Sequence, residues 1–399
     1  MFLKQTHLFP SGGEKNYRIP SLVVTKSGTV LAFCNNRVGT LKDYADEIEL
    51  VCAIKRSGED WSDVRLLAKN DGWACNIGSA VYDPNADKTI LFFRRTPVSR
   101  NEFGNYTEAE LAEMAKRREE AIATAAREGV VAGNRQLVSD DDGAHFTEEA
   151  HVLSPATQVH ADGKAYPVDG FTHGSAHGIC LTHGAHAGRL LCPARTKIGE
   201  YNDWEGIRAC VYNNAIYSDD HGKTWQASGC VQLGTAEGTL IERADGSVLY
   251  NSRAYFNDGK RYLAVSRDGG ATYGEFSTDE FLLEEKRMGC NASFLRVSLE
   301  DITDRSLLPK GAEGVTVFCN PRAETRMRMT ACVSFDAGAT YREARVFFEG
   351  PSAYSSLDYD KKSGHFFLLY ERGEENTTRH PYAKGVCVAE FDLEWLLAQ

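Results

Sequence analysis

Short apolar runs recur along the whole chain, each bounded by glycine and aspartate. Six of them are Leu31-Ala32-Phe33, Thr89-Ile90-Leu91-Phe92-Phe93, Arg189-Leu190-Leu191-Cys192, Ser247-Val248-Leu249-Tyr250, Val315-Thr316-Val317-Phe318 and Phe366-Phe367-Leu368-Leu369-Tyr370. Runs this short, rich in β-branched and aromatic residues and closed by turn formers, predict β-strands. One segment breaks the pattern. Residues 107–128 are rich in Ala, Glu and Arg. Thr107 and Glu110 have the spacing of a capping box and Gly129 supplies a stop, so this segment predicts a single inserted helix. It either packs on the rim as a solvated element or serves as a lid or an oligomer contact.

The strands carry a repeat. Ser-x-Asp-x-Gly-x-(Thr/His)-aromatic occurs at Ser139–Phe146, Ser218–Trp225, Ser266–Tyr273 and Ser334–Tyr341, and Ser57-Gly58-Glu59-Asp60-Trp61 reads as a degenerate copy. The Asp and Gly suit a hairpin turn that needs side chain–backbone hydrogen bonds and positive φ, and the aromatic can fold back as a plug. One such hairpin per sheet, repeated, predicts an all-β fold, a β-propeller. At roughly 60 residues per blade, 399 residues suit six blades in a single domain, 1–399. The boxes begin at 139, 218, 266 and 334, so some blades lack one and some loops are long. The box aspartates serve turns and are assigned no catalytic role.

Composition narrows the function classes. The net charge of −11 argues against nucleic acid and anionic membranes as partners. Any anionic substrate must then be held by a local cluster of arginines. No 18-residue apolar run predicts a membrane span. The eleven cysteines are odd in number, scattered and without a CxxC pair, so buried free thiols in a reducing compartment are expected. The first residues show no basic segment followed by an apolar one, which predicts a cytoplasmic protein, or a secreted one if a leader has been removed. No P-loop, metal-ligand cluster or GxGxxG after a strand is present, so no cofactor and no metal are expected.

The residues between the boxes resemble those of the sialidase (neuraminidase) superfamily of six-bladed propellers. The resemblance runs from Tyr17 to Glu371. Tyr17-Arg18-Ile19-Pro20 is similar to the family's (F/Y)RIP motif, which implies that Arg18 is one of three arginines clasping a substrate carboxylate. A guanidinium offers bidentate, permanently charged recognition of such a group. Leu31-Ala32-Phe33-Cys34-Asn35-Asn36-Arg37 resembles the strand that ends in an arginine near that pocket, with Asn35 where the family usually has Glu. The loop that follows should supply an acid/base aspartate. Counting back eleven residues from Ser57 gives Asp46, with Asp43 as the alternative. Gly174-Ser175-Ala176-His177-Gly178 resembles a central strand entry, in which His177 reads as structural.

Glu237-Gly238-Thr239-Leu240-Ile241-Glu242 is similar to the family's segment whose first glutamate activates the nucleophile, although Ala236 and Thr239 replace its flanking Asn and Gln. Asn251-Ser252-Arg253 supplies the second arginine. After Asn320-Pro321, counting back eight residues from Ser334 gives Arg326 as the third, leaving Arg322 and Arg328 as rim and strand charges. Ser352-Ala353-Tyr354-Ser355-Ser356-Leu357 implies Tyr354 as nucleophile. Leu369-Tyr370-Glu371 implies that Glu371 orients Arg18.

The resemblance thus implies an exo-α-sialidase that hydrolyses terminal sialic acid from glycoconjugates with retention, through a tyrosyl–glycosyl intermediate. A neutral phenol suits a substrate with a carboxylate on its anomeric carbon, because a carboxylate nucleophile would be repelled. Its partner would be a sialylated glycan. The alternatives are a trans-sialidase, a hydrolase of a related nonulosonic acid, and a non-catalytic sialoglycan-binding propeller.

Overall fold

The computed structural model describes residues 1–41, 43, 47–69, 72–97, 107–159, 163–172, 176–198, 204–375, 377 and 380–398. Its strands form six antiparallel blades in chain order. Blade one comprises Tyr17–Val24, Val30–Arg37, Ile48–Lys55 and Arg65–Ala68, and blade two comprises Trp73–Asp83, Lys88–Pro97, Gly133–Ser139 and Thr147–Ala150. Blade three holds Ile179–Cys180, Leu190–Lys197, Val211–Ser218 and Trp225–Ala227, and blade four holds Thr235–Glu242, Val248–Ala254, Arg261–Ser266 and Gly274–Asp279. Blade five runs through Ser293–Ser298, Gly314–Pro321 and Met327–Ser334 into the long strand Arg342–Asp360. That strand leaves blade five near Pro351 and becomes the inner strand of blade six, which continues through His365–Arg372 and Gly385–Asp392. The outer strand of blade six is Leu3–Pro10, from the other end of the chain, so main-chain hydrogen bonds close the ring.

The apolar runs are continuous rather than alternating because both faces of each blade are buried. Leu31 points into the core between blades one and two, whereas its neighbour Ala32 points into the core between blades six and one. Leu190 and Leu191 divide in the same way between the two neighbours of blade three. Six apolar clusters, one per pair of adjacent blades, hold the ring together.

The four boxes close the outer hairpins of blades two to five. In each, the serine hydroxyl donates to the aspartate and accepts the glycine N–H, and the aspartate accepts the N–H of the Thr or His. The box glycines have φ of 77°, 78°, 87° and 85°. Each rests on the second strand of the preceding blade, at Leu31, Ile90, Leu191 and Leu249 respectively. The boxes are therefore clamps between blades. Blade six has no box because its fourth strand arrives from the other end of the chain.

The inserted helix spans Glu108–Glu128, with Thr107 and Glu110 forming the capping box and Gly129 at φ 70° as the C-cap. Ala121 and Ala125 pack it on Trp73 at the start of blade two. Two short helices, Trp204–Cys210 and Leu393–Leu397, were not anticipated from the sequence. The second caps the core between blades five and six through Leu393 and Leu396. All eleven cysteines stand outside any disulfide.

Candidate active site

Inner strands begin, and second strands end, on one face of the propeller. Arg18, Glu237 and Tyr354 lie near the start of inner-strand segments in blades one, four and six, while Arg37, Arg253 and Glu371 lie near the end of second strands in blades one, four and six. Topology alone therefore gathers residues from distant parts of the sequence. The ladder register shifts between Arg18 and Ser21, between Thr235 and Gly238, between Met327 and Met329, and between Ser352 and Ser355. Such bulges re-aim side chains out of the regular alternation. Ile19 (φ 59°) and Arg328 (φ 66°) are left-handed, and a β-branched residue rarely adopts that conformation. Both stand within two residues of a site arginine.

The centre is a hydrogen-bonded trio. The Tyr354 hydroxyl donates to Glu237 Oε1 at 2.8 Å, and Arg253 Nη1 donates to the same hydroxyl oxygen at 2.7 Å and to Glu237 Oε2. Three guanidinium groups surround the Tyr354 ring, with Arg18, Arg253 and Arg326 at 5.6, 5.9 and 5.5 Å from its centroid. Burial pushes the phenol well above its usual range; Arg253 pulls it down and Glu237 pushes it up again. Tyr354 is thus a neutral phenol with a carboxylate placed to take its proton.

Glu371 is fully buried and holds Arg18 from behind, accepting Nε at 2.9 Å and Nη2 at 3.0 Å. It also accepts the N–H groups of Ile19 (2.9 Å) and Tyr354 (3.1 Å), tying the two strands that carry the arginine and the tyrosine. Asp43 bridges Arg18 Nη1 at 3.0 Å and Arg37 Nη1 at 2.8 Å. Burial opposes its charge, but Arg37 and Arg18 hold the carboxyl at about 2. Its side chain is nevertheless three-quarters open to solvent, at 75%. Asp46 lies outside the described residues.

Arg37 reaches the clasp through Asp43 and the Leu41 carbonyl. Asn35 lies on the same strand, two residues before Arg37. It donates to the Glu49 and Cys75 carbonyls and accepts the Ile77 N–H, stitching blade one to blade two. His177 is buried at a bridge to Ala80 between blades three and two, in keeping with packing. Arg322 and Arg328 both turn outward to Glu343, as expected of rim charges. Tyr382 was missed in the sequence: its ring stacks 3.6 Å from the Arg18 guanidinium. It lies in a loop between strands, with no motif to mark it.

Fold and site together define an Asp-box propeller with a tyrosine–glutamate pair inside an arginine clasp. The chain belongs to the sialidase/BNR superfamily, with the BNR repeat-like domain matching residues 28–367. It is 30% identical over 392 residues to a sialidase of Micromonospora viridifaciens, covering 96% of this chain and 52% of that protein. It is 24% identical over 295 residues to a sialidase of Paraclostridium sordellii, covering 71% of this chain and 64% of that one. The chain thus spans about half to two thirds of the length of these relatives. In fold it is similar to the leech intramolecular trans-sialidase in complex with 2,7-anhydro-Neu5Ac, with a TM-score of 0.70 at 16% identity over 98% of this chain and 70% of that one.

Proposed function

We propose that the protein is an exo-α-sialidase that releases terminal sialic acid from glycoconjugates with retention of configuration. The observation that carries this reading is the Tyr354–Glu237 hydrogen bond of 2.8 Å set among three arginines. Arg18, Arg253 and Arg326 would take the carboxylate on the anomeric carbon. Glu237 would remove the Tyr354 proton as the phenol oxygen bonds to that carbon, and an aspartic acid would protonate the departing glycosidic oxygen. That aspartate would be Asp46, with Asp43, held ionised between Arg18 and Arg37 in the free protein, as the alternative. The tyrosyl–glycosyl bond then breaks as water attacks, with the aspartate taking the water's proton and Glu237 returning one to the phenol. The clasp would stabilise the flattened, oxocarbenium-like states on either side.

Turnover of 4-methylumbelliferyl α-sialoside by wild type and Tyr354→Phe tests this. The variant should lose kcat by a factor on the order of 10³, about 4 kcal/mol of transition-state stabilisation. NMR of the first-formed anomer should show retention in the wild type. No wild-type turnover between pH 4 and 8 would overturn the reading. Release of 2,7-anhydro product in place of free sialic acid would convert it to an intramolecular transferase.

A further inference from the structure

Beneath the clasp lies a buried ion pair that the chemistry above does not use. Arg261 is fully buried at the start of the third strand of blade four, and Glu284 is 3% exposed. Arg261 Nη1 donates to Glu284 Oε2, and also to the Cys290 carbonyl at 2.9 Å, while its Nε donates to Asn251 Oδ1 at 2.7 Å. Glu284 also accepts the N–H of Ala254, next to Arg253, at 3.5 Å and that of Cys290 at 3.4 Å. A buried charge is costly unless paired, so each member holds the other in place.

The pair closes the loop Glu284–Cys290, and this loop faces the clasp with its backbone. Three consecutive carbonyls each receive a different arginine: Met288 accepts Arg253 Nε at 2.8 Å, Gly289 accepts Arg326 Nη2 at 3.0 Å, and Cys290 accepts Arg261 Nη1 at 2.9 Å. Asn320 anchors the approach to the loop through the Leu283 carbonyl at 2.8 Å. Gly289, at φ 63°, fits so closely that a Cβ there would lie 2.3 Å from Glu284 Oε1 and 2.9 Å from Arg253 Cγ. A guanidinium on a long side chain has many rotamers, and fixing some of its donors on carbonyls aims the rest.

We propose that Glu284, locked by Arg261, is a positioning residue for the carboxylate clasp: through the loop Glu284–Cys290 it sets the spacing and direction of Arg253 and Arg326. The proposal rests on the sialidase reading of those arginines.

The test compares binding of 2-deoxy-2,3-didehydro-sialic acid with binding of its carboxamide. In Glu284→Gln the acid should bind about tenfold more weakly and the amide less than about threefold, so the preference for the acid shrinks. KM for the fluorogenic sialoside should rise more than kcat falls. A merely structural role would weaken both ligands alike. Because Glu284→Gln strands the Arg261 charge and can prevent folding, the double variant Arg261→Met/Glu284→Gln removes both charges. It should fold with a near wild-type Tm and still lose the acid preference, since the Cys290 carbonyl then loses the Arg261 donor. A folded double variant with the wild-type preference overturns the proposal. If the wild type itself binds acid and amide alike, the sialidase reading fails instead, and a crystal structure of the double variant decides the positioning. Arg253 and Arg326 still bonded to the Met288 and Gly289 carbonyls would overturn it, and their displacement would support it.

Discussion

Glu371→Gln separates the anchoring of the site from its chemistry. In the wild type Oε1 takes Arg18 Nε and the Ile19 N–H, and Oε2 takes Arg18 Nη2 and the Tyr354 N–H. A glutamine keeps one acceptor oxygen for the first two donors and turns an NH2 group toward the other two. Two buried donors without an acceptor cost about 1–3 kcal/mol each, so the loss is about 4 kcal/mol, within the ~3–5 kcal/mol that breaking a buried ion pair costs. Asp43 still faces Arg18, but from the solvent side, where screening leaves it little weight. About 2.1 cal/mol/K per residue over 399 residues makes the melting entropy roughly 0.8 kcal/mol/K, so Tm should fall by about 5 °C. Differential scanning calorimetry reads the shift, and sialoside turnover should fall with it because Arg18 loses its anchor. A Tm within about 1 °C of wild type would refute the reasoning, since it would mean that Arg18 is held by something other than Glu371.

Three further outcomes are expected. His151 packs against Phe92 and Trp225 with no partner on Nδ1 among the described residues, and burial lowers its pKa to about 4. The unfolded chain takes up this proton below about pH 6.5 while the folded one stays neutral to about 4, so stability should fall as pH drops through that window, by about 3 kcal/mol in all. His151→Phe should flatten that part of the Tm–pH curve, and an unchanged slope would count against the assignment. Gly222→Ala places a side chain at φ 78° with its Cβ 2.1 Å from Ile90 Cδ1. It should cost about 2 kcal/mol in thermal melts and leave KM alone, because the box lies at the opposite end of the blade from the site. Tyr382→Ala removes the ring stacked on Arg18. KM for the sialoside should rise about tenfold, matching ~1.4 kcal/mol of lost cation–π stacking, and an unaltered KM would show that Tyr382 does not steady the clasp.

The sequence by itself determined the blades and their hairpins, because those signals are local. Ser-x-Asp-x-Gly satisfies its own turn within five residues, the apolar runs mark strands buried on both faces, and Thr107, Glu110 and Gly129 set the ends of the helix within one turn. The order of Arg18, Glu237, Arg253, Arg326, Tyr354 and Glu371 was legible as well, through motifs that each sit at a strand end. Only the tertiary structure decided what those residues touch. Tyr354 and Glu237 are 117 residues apart in the chain and meet because blades four and six present their inner strands to one face. Counting residues in the loop after Arg37 favoured Asp46, which lies outside the described residues, and the pairing of the alternative, Asp43, with both Arg18 and Arg37 is a contact between segments that no local pattern records. Tyr382, Glu284 and Arg261 carry no motif, and their importance comes from packing against the arginines. A local pattern encodes the hydrogen bonds a segment makes with itself, whereas a site assembled across a ring depends on closing that ring.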